Sequence, residues 1–490
     1  MRKILKASDS SKAGGKSIVK IPNNTSFNAP ILAHGELLIG LLEKITPVDF
    51  REAAGFKNED DKLKTSHLLI ITVEKLIQVA QDNNWGLCTK YESIYLFNGC
   101  FWALFDVKDF KNFLGEVAEK MGVDKFRAKE HRFREELYKQ FLTLSNLPAP
   151  TEQDGIVLIN MLNGTFEISP TQQKLREYQR EDFLTYQLPF EYNEQAKAPV
   201  FEKYLNEVLP DKEAQKVLGE FLGYVFISPG TLKLEKALLL YGTGANGKSV
   251  FFDIVNALLD EQNISNYSLQ SITKIDGYQR AELANKLLNY SSEINGNIEA
   301  QIFKQLASGE KVEARQIYGK PFIFIPKVKL IFNCNELPKD VEHTDAYFRR
   351  FLIIPFTISI PNEKQDKELA KKIIANELSG VFNWVLQGLN RLLTNKRFTE
   401  CEAINKQLEQ YKKVTDNVAL FLEETGYRKS STEYVTSKDL YIEYRTFCAD
   451  DGYRPLAKSN FKQRLMQTMK VLIERKNVGQ VVFLIKEQGF

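Results

Sequence analysis

Cysteine, histidine and unbroken apolar stretches are all scarce in this 490-residue sequence. The five cysteines, Cys88, Cys100, Cys334, Cys401 and Cys448, are scattered and form no C-x-x-C pair. That argues against a disulfide framework and a zinc site, and for a reducing compartment. With only His34, His67, His131 and His343, a histidine-based metal centre is not expected. No signal peptide is evident, and stretches such as HLLIITVEKLI are broken by charge and too short to span a bilayer. The sequence therefore predicts a cytoplasmic protein with no membrane partner. Excess charge is scarce too. The 66 basic and 63 acidic residues leave a net charge of +3, so any nucleic-acid surface must be a local patch or an assembled channel. The 43% apolar and 26% charged content is that of an ordinary soluble protein, with length for about three domains of roughly 150 residues.

What is present is concentrated near the middle. Residues 241–250 read YGTGANGKSV directly after ALLL. Ala237 to Tyr241 is short and continuously apolar, the pattern of a strand buried on both faces of a parallel sheet. Val250, Phe251, Phe252, Ile254, Val255, Leu258 and Leu259 then recur at helical spacing. Gly242, Gly247, Lys248 and Ser249 fit G-x-x-x-x-G-K-[ST] in its strand–turn–helix context. Glycines let successive backbone N–H groups of Gly242, Thr243, Gly244, Ala245, Asn246 and Gly247 converge on phosphate oxygens. The helix N-terminus adds positive potential. Lys248 is expected to reach the β- and γ-phosphates of ATP, and Ser249 to bind Mg²⁺.

Three further groups follow at sensible spacing. KLLNYSSE (286–293) reads as a strand ending in Ser292 and Glu293, and a carboxylate there holds metal or orients water. Val328 to Phe332 reads as a core strand, and Asn335 after it is suited to sense the γ-phosphate, since an amide both donates and accepts. HTDAYFRRFLIIPF (343–356) offers Arg349 and Arg350, either of which suits the developing charge of a transferring phosphoryl group, acting on a neighbouring subunit's site.

The chain divides by pattern into a basic, flexible tail (1–45), a mixed α+β region (46–200), a helical lead-in (201–232), the α/β nucleotide core (233–360), a helical lid or linker (361–415) and a C-terminal unit (416–490). SIYLFNGCFWALF and IVLINMLNGTFEIS each signal a hairpin around Asn-Gly. DVKDFKNFLGEVAEKMG has a helix period opened by Asp and closed by Gly. Pro-rich NLPAPTEQDG (146–155) reads as a linker. After 416 come three helix patterns and two strands around a Lys-Asn-Val-Gly turn, the sequence of a winged helix. Within residues 453–476, Arg454, Lys458, Lys462, Arg464, Lys470, Arg475 and Lys476 stand against Glu474 alone, a balance suited to duplex DNA.

The order of phosphate loop, Glu293, Asn335 and arginine pair resembles the superfamily 3 helicases, AAA+ ring motors. More closely, the chain is similar to the helicase part of the poxvirus and phage/plasmid primase-helicase family. NGTFEI, GEFLGYVF, GTGANGKS, FKQLASGEKVEARQIYGKPFIFIP, FNCNELP and FRRF carry the likeness, over roughly residues 85–475. The replication initiators of staphylococcal pathogenicity islands and related prophages resemble it in kind and size. One departure is Ser292, where many relatives have Asp before the Glu, so Glu293 is the sole carboxylate of that motif. Primase motifs are not visible upstream. The resemblance implies a homo-hexamer that hydrolyses ATP between subunits. VEARQIYGKPFIFIPKV (312–328) alternates as a hairpin, and the likeness implies that Lys320 at its tip, with Arg315 on its flank, grips single-stranded DNA in the ring channel. The expected activity is thus an ATP-driven DNA helicase, with replication initiation through binding of origin duplex by the winged helix as its expected role. A rival reading is an ATP-switched regulator that assembles on duplex DNA without unwinding it. A small-molecule P-loop kinase fits less well, because it gives the hairpin lysine no role.

Overall fold

Ala237–Tyr241 forms a strand whose first four residues are fully buried, as a continuously apolar run requires. It belongs to a five-stranded parallel sheet, labelled here in chain order: β1 (Ala237–Tyr241), β2 (Ile264–Ser265), β3 (Leu288–Ser291), β4 (Lys329–Cys334) and β5 (Phe351–Pro355). The spatial order is β5-β1-β4-β3-β2. Because β4 is inserted between β1 and β3, the connection leaving β1 runs to one side and that leaving β4 to the other. In open α/β sheets the crevice at the carboxyl ends of such strands is where ligands bind. The computed structural model describes residues 34–487 except residues 59, 84, 91–92, 146–154, 170–171, 293, 295–297, 318–320 and 339–340.

Two apolar layers enclose the sheet. On one face pack Leu238, Leu240, Tyr290 and Ile354 with helix α1 (Lys248–Leu259) and helix α2 (Leu369–Asn395). On the other lie Leu239, Phe332 and Ile353 with Phe303 and Tyr347. Helix α1 buries Phe251, Ile254, Val255, Leu258 and Leu259 along one stripe. It stops at Asp260, whose φ of 69° breaks the helix and whose carboxylate caps the next turn at Gln262 N. The 27-residue α2 crosses the lead-in helix Lys212–Tyr224 at glycines. A Cβ on Gly388 would lie 2.3 Å from the carbonyl carbon of Gly219, and one on Gly223 would lie 2.7 Å from the backbone of Leu389. Glu220, fully buried at this crossing, accepts from Arg391 (3.1 Å) and Thr399 N (2.8 Å).

The amino-terminal region has its own core of Phe110, Phe113, Leu114, Leu137 and Phe141. Helix Val107–Met121 is capped by Asp106 and ended by Gly122 in the left-handed region, as its pattern predicts. Both expected hairpins form, Ser93–Phe97 with Trp102–Leu104 and Val157–Met161 with Gly164–Ile168. Each gains a third strand that its sequence does not announce, Gly86–Lys90 and Gln173–Arg176. Within the stretch expected to be tail, His34–Lys44 is a helix that buries Leu37, Leu38 and Leu41. Residues 1–33 and most of the expected linker at 146–155 lie outside the described residues. The C-terminal unit packs helices Asn417–Glu424, Ser437–Asp450 and Lys458–Met469 around Phe421, Tyr444 and Phe461. Its hairpin, Ile473–Lys476 with Gly479–Val482, also pairs with Val435–Thr436. No described helix is long and apolar enough to cross a membrane.

The crossing at Gly388 generates a prediction. Gly388→Ala gains roughly 1 kcal/mol of helix propensity, but its methyl must displace backbone, which costs about 1–3 kcal/mol or more. Urea unfolding should show net destabilisation, and a stabilised variant would contradict the close approach.

Candidate functional site: a phosphate loop and a distant arginine pair

The loop after β1 turns because three residues adopt left-handed backbone: Gly244 (φ 104°), Ala245 (φ 49°) and Gly247 (φ 85°). Gly242 has no room for a side chain, since a Cβ would meet Asn246 Nδ2 and Phe356 O at 2.3 Å each. The loop is held to the chain leaving β5. Asn246 Nδ2 donates to Phe356 O (3.2 Å), and Ile360 N donates to Ala245 O (2.7 Å). Tyr204 O–H donates to Gly247 O at 2.8 Å, tying the lead-in helix Pro199–Val208 to the start of α1. Thr243, Ala245 and Ser249 are exposed, and Ser249 stands in the first turn of α1.

Lys248 is buried, and its ammonium is turned back into the loop. It donates to Gly242 O (2.5 Å) and Asn246 Oδ1 (3.0 Å). Desolvation lowers its pKa below the ordinary lysine value. Cys334, at the end of β4, is also buried, and its thiol is pushed up to about 12 despite the nearby Lys248 charge. An ammonium satisfied only by neutral oxygens in a glycine-lined loop is suited to exchange them for phosphate oxygens. Asn335 lies exposed just past β4, one residue beyond the Cys334–Tyr241 pairing, so it sits beside the loop. Glu293 lies outside the described residues. Ser249 and Thr243 are exposed hydroxyls at this loop, and Ser249 alone of the two stands on α1. Among the described residues no group of three or more His, Cys, Asp or Glu is placed to hold a metal ion.

The structure separates the two arginines. Arg350 is inward, its side chain 8% exposed, with hydrogen bonds to Ser308 Oγ (2.9 Å from Nη2) and Ala346 O and an ion pair to Glu235 (3.3 Å). Arg349 projects outward, its side chain 64% exposed, and touches Glu235 only at 3.5 Å. Burial and both arginines together lower the pKa of adjacent Lys236. Ala237 N donates to Arg350 O (2.7 Å), so the pair stands at the opening end of β1, while the loop leaves its other end. Four strand steps, about 13 Å, lie between them.

The two expected DNA surfaces differ in what is held. Val312–Arg315 pairs with Pro321–Phe324, Arg315 opposite Pro321. Pro321 opens the returning strand, where it needs no partner for the N–H it lacks. Residues 318–320, including Lys320, lie outside the described residues. The hairpin is anchored by Arg280, which sequence reasoning passed over: its Nε donates to Glu313 O (2.6 Å) and its Nη1 to Ile272 O and Lys274 O (2.9 and 2.8 Å). No periodicity or motif marks that arginine. In the C-terminal unit Lys458 and Arg475 are exposed. Lys476 lies 4.1 Å from the Tyr434 ring centroid, and Lys462 bonds Gln480. Arg464 is turned away onto Asp416, which accepts from its Nε at 3.0 Å.

Residues 73–210 match the model "D5 N terminal like", residues 240–350 a family of unknown function (DUF5906), and residues 413–488 "Poxvirus D5 protein-like". The chain is 25% identical over 182 residues to "Putative helicase L207/L206" of Acanthamoeba polyphaga mimivirus, covering 34% of this chain. It is 23% identical over 338 residues to "Putative helicase 121R" of Invertebrate iridescent virus 3, covering 59% of this chain. These matches span only 18% and 35% of the relatives' own lengths. Two solved structures of the NrS-1 C-terminal region, each covered in full, align with 87% and 88% of this chain at 10% and 13% identity, with TM-scores of 0.47 and 0.46. Together the family models and viral relatives support a likeness to the D5-like primase-helicases.

The arginine geometry generates a prediction. Arg350→Ala leaves Glu235 and Ser308 without their buried partner and should cost about 1–3 kcal/mol in urea unfolding. Arg349→Ala, exposed, should change stability by less than about 0.5 kcal/mol. Equal losses in the two variants would contradict the separation.

Proposed function

We propose that the chain is an ATP-driven DNA helicase of the superfamily 3, AAA+ kind, assembling as a homo-hexameric ring and acting in replication initiation of a virus or mobile element. The observation that carries this reading is the distance between the phosphate loop and Arg349. An exposed arginine about 13 Å along β1 from its own loop is out of reach of a nucleotide held there. That distance supports a role for it at a site on a second copy. The viral relatives named as helicases and the D5-type models support the choice of motor over switch.

In this reading Lys248 exchanges Gly242 O and Asn246 Oδ1 for the β- and γ-phosphates. Mg²⁺, when bound, neutralises charge between those phosphates. Ser249 contributes a hydroxyl to it, Glu293 orients the attacking water, and Asn335 hydrogen-bonds the γ-phosphate. Arg349 of the adjacent subunit stabilises the transferring phosphoryl group, and hydrolysis depends on assembly. Arg280 braces the 312–324 hairpin, so motion in the core is passed to Arg315 and Lys320 on single-stranded DNA. The C-terminal unit, read as a winged helix, presents Lys458, Lys462, Arg475 and Lys476 to duplex phosphates. Arg464, spent on Asp416, braces that unit instead.

Subunit mixing tests the proposal. Lys248→Ala and Arg349→Ala should each lower ATPase at least about a hundredfold. A one-to-one mixture should regain roughly a quarter of native activity, because heterologous interfaces then pair an intact loop with an intact arginine at that frequency. Mixed assemblies that form and stay inactive would reject the shared site.

A further inference from the structure

Ser292 leaves an unanswered question in the proposed site: which carboxylate partners Ser249 around a divalent cation. Asp253 stands one helical turn beyond Ser249 on α1. Residues four apart share a helix face, with Cβ atoms about 5–6 Å apart. Helix α1 packs on β3 at this level, the Phe252 ring lying 4.8 Å from Tyr290. Tyr290 packs from β3 toward α1, and Ser292 is exposed one residue past the end of β3. The Asp253 charge is near enough to help push up the phenols of both Tyr290 and Tyr204, and the Tyr204 hydroxyl is bonded to the loop at Gly247.

Asp253 is also uncompensated. No described residue gives it a hydrogen bond or an ion pair, and partial burial alone acts on it, raising its pKa. Asp253 is nevertheless exposed, so its carboxylate is open to a cation from solvent. Mg²⁺ characteristically takes one or two carboxylates along with phosphate oxygens and water.

We propose that Asp253, acting with Ser249, supplies the carboxylate that Ser292 lacks, and holds the nucleotide-bound Mg²⁺ directly or through a coordinated water. The metal site is thereby moved from the end of β3 to the exposed edge of α1. This rests on the ATPase reading above.

The test is metal dependence of nucleotide binding, followed with fluorescent N-methylanthraniloyl-ADP and, separately, with Mn²⁺ by electron paramagnetic resonance. Asp253→Asn should bind the nucleotide as the native chain does in EDTA. It should need about tenfold more Mg²⁺ or Mn²⁺ for the metal-dependent tightening, as loss of a metal-holding carboxylate requires. Adding Ser292→Asp to that variant should restore the native requirement. An unchanged metal requirement in Asp253→Asn overturns the proposal, as does nucleotide binding lost equally in EDTA, since that places the residue in the fold and not at the metal. A native chain that binds no nucleotide under either condition rejects the ATPase reading itself.

Discussion

A parallel pairing of five residues fixes the relation between the two charged ends of the core. Phe351 through Pro355 align with Ala237 through Tyr241, residue for residue. The pairing places Arg349 and Arg350 where both strands begin and the glycine loop where both end. The spacing cannot relax without breaking buried backbone hydrogen bonds on both strands, each costing about 1–3 kcal/mol if left unmade. Phe356 N donates to Tyr241 O (2.7 Å), and the next residues hold the loop through Asn246 and Ala245. One strand therefore touches its own loop at one end and offers an arginine at the other. In the proposed ring it links two successive sites.

The inward-turned Lys248 follows from the same enclosure. An ammonium desolvated by β1, β4 and α1 must find acceptors, and Gly242 O and Asn246 Oδ1 are those within the loop. Asn246 also grips Phe356 O, so it couples the lysine to the β5 exit. Glu235 has the corresponding role at the other end. Its left-handed backbone (φ 55°) sets its carboxylate between Arg349, Arg350 and Lys233, holding three positive charges near one negative one.

Much of the fold was legible in the sequence, and the elements that were not share a cause. Ala237–Tyr241 and Lys248–Leu259 declare themselves because burial on both faces, or along one stripe, imposes a period on their own residues. Asp106 and Gly122 are legible because caps are local chemistry. Gly86–Lys90 and Gln173–Arg176 are not, since few of their side chains are apolar and their hydrogen bonds belong to a neighbouring hairpin. The helix His34–Lys44 hid beside a basic, glycine- and serine-rich stretch. Within the site, the glycine turn after β1 was legible because its glycines answer a backbone requirement. The division between Arg349 and Arg350 was not. It is decided by one short turn, Asp345–Phe348, capped by Thr344, that directs one guanidinium to Ser308 and the other to solvent. Arg280, Glu235 and Asp253 lie in no recognisable pattern. Their roles come from what three-dimensional packing sets against them.

In the proposed motor, hydrolysis at shared sites moves DNA, and a forked substrate measures that movement directly. The full chain, incubated with a labelled fork bearing one single-stranded tail, should release the labelled strand when ATP and Mg²⁺ are present. Release should cease with a non-hydrolysable ATP analogue, and the same tail should raise the ATPase rate. Slow hydrolysis indifferent to single-stranded DNA, with the fork left intact on tails of either polarity, would contradict the account and favour a nucleotide-switched duplex-binding protein.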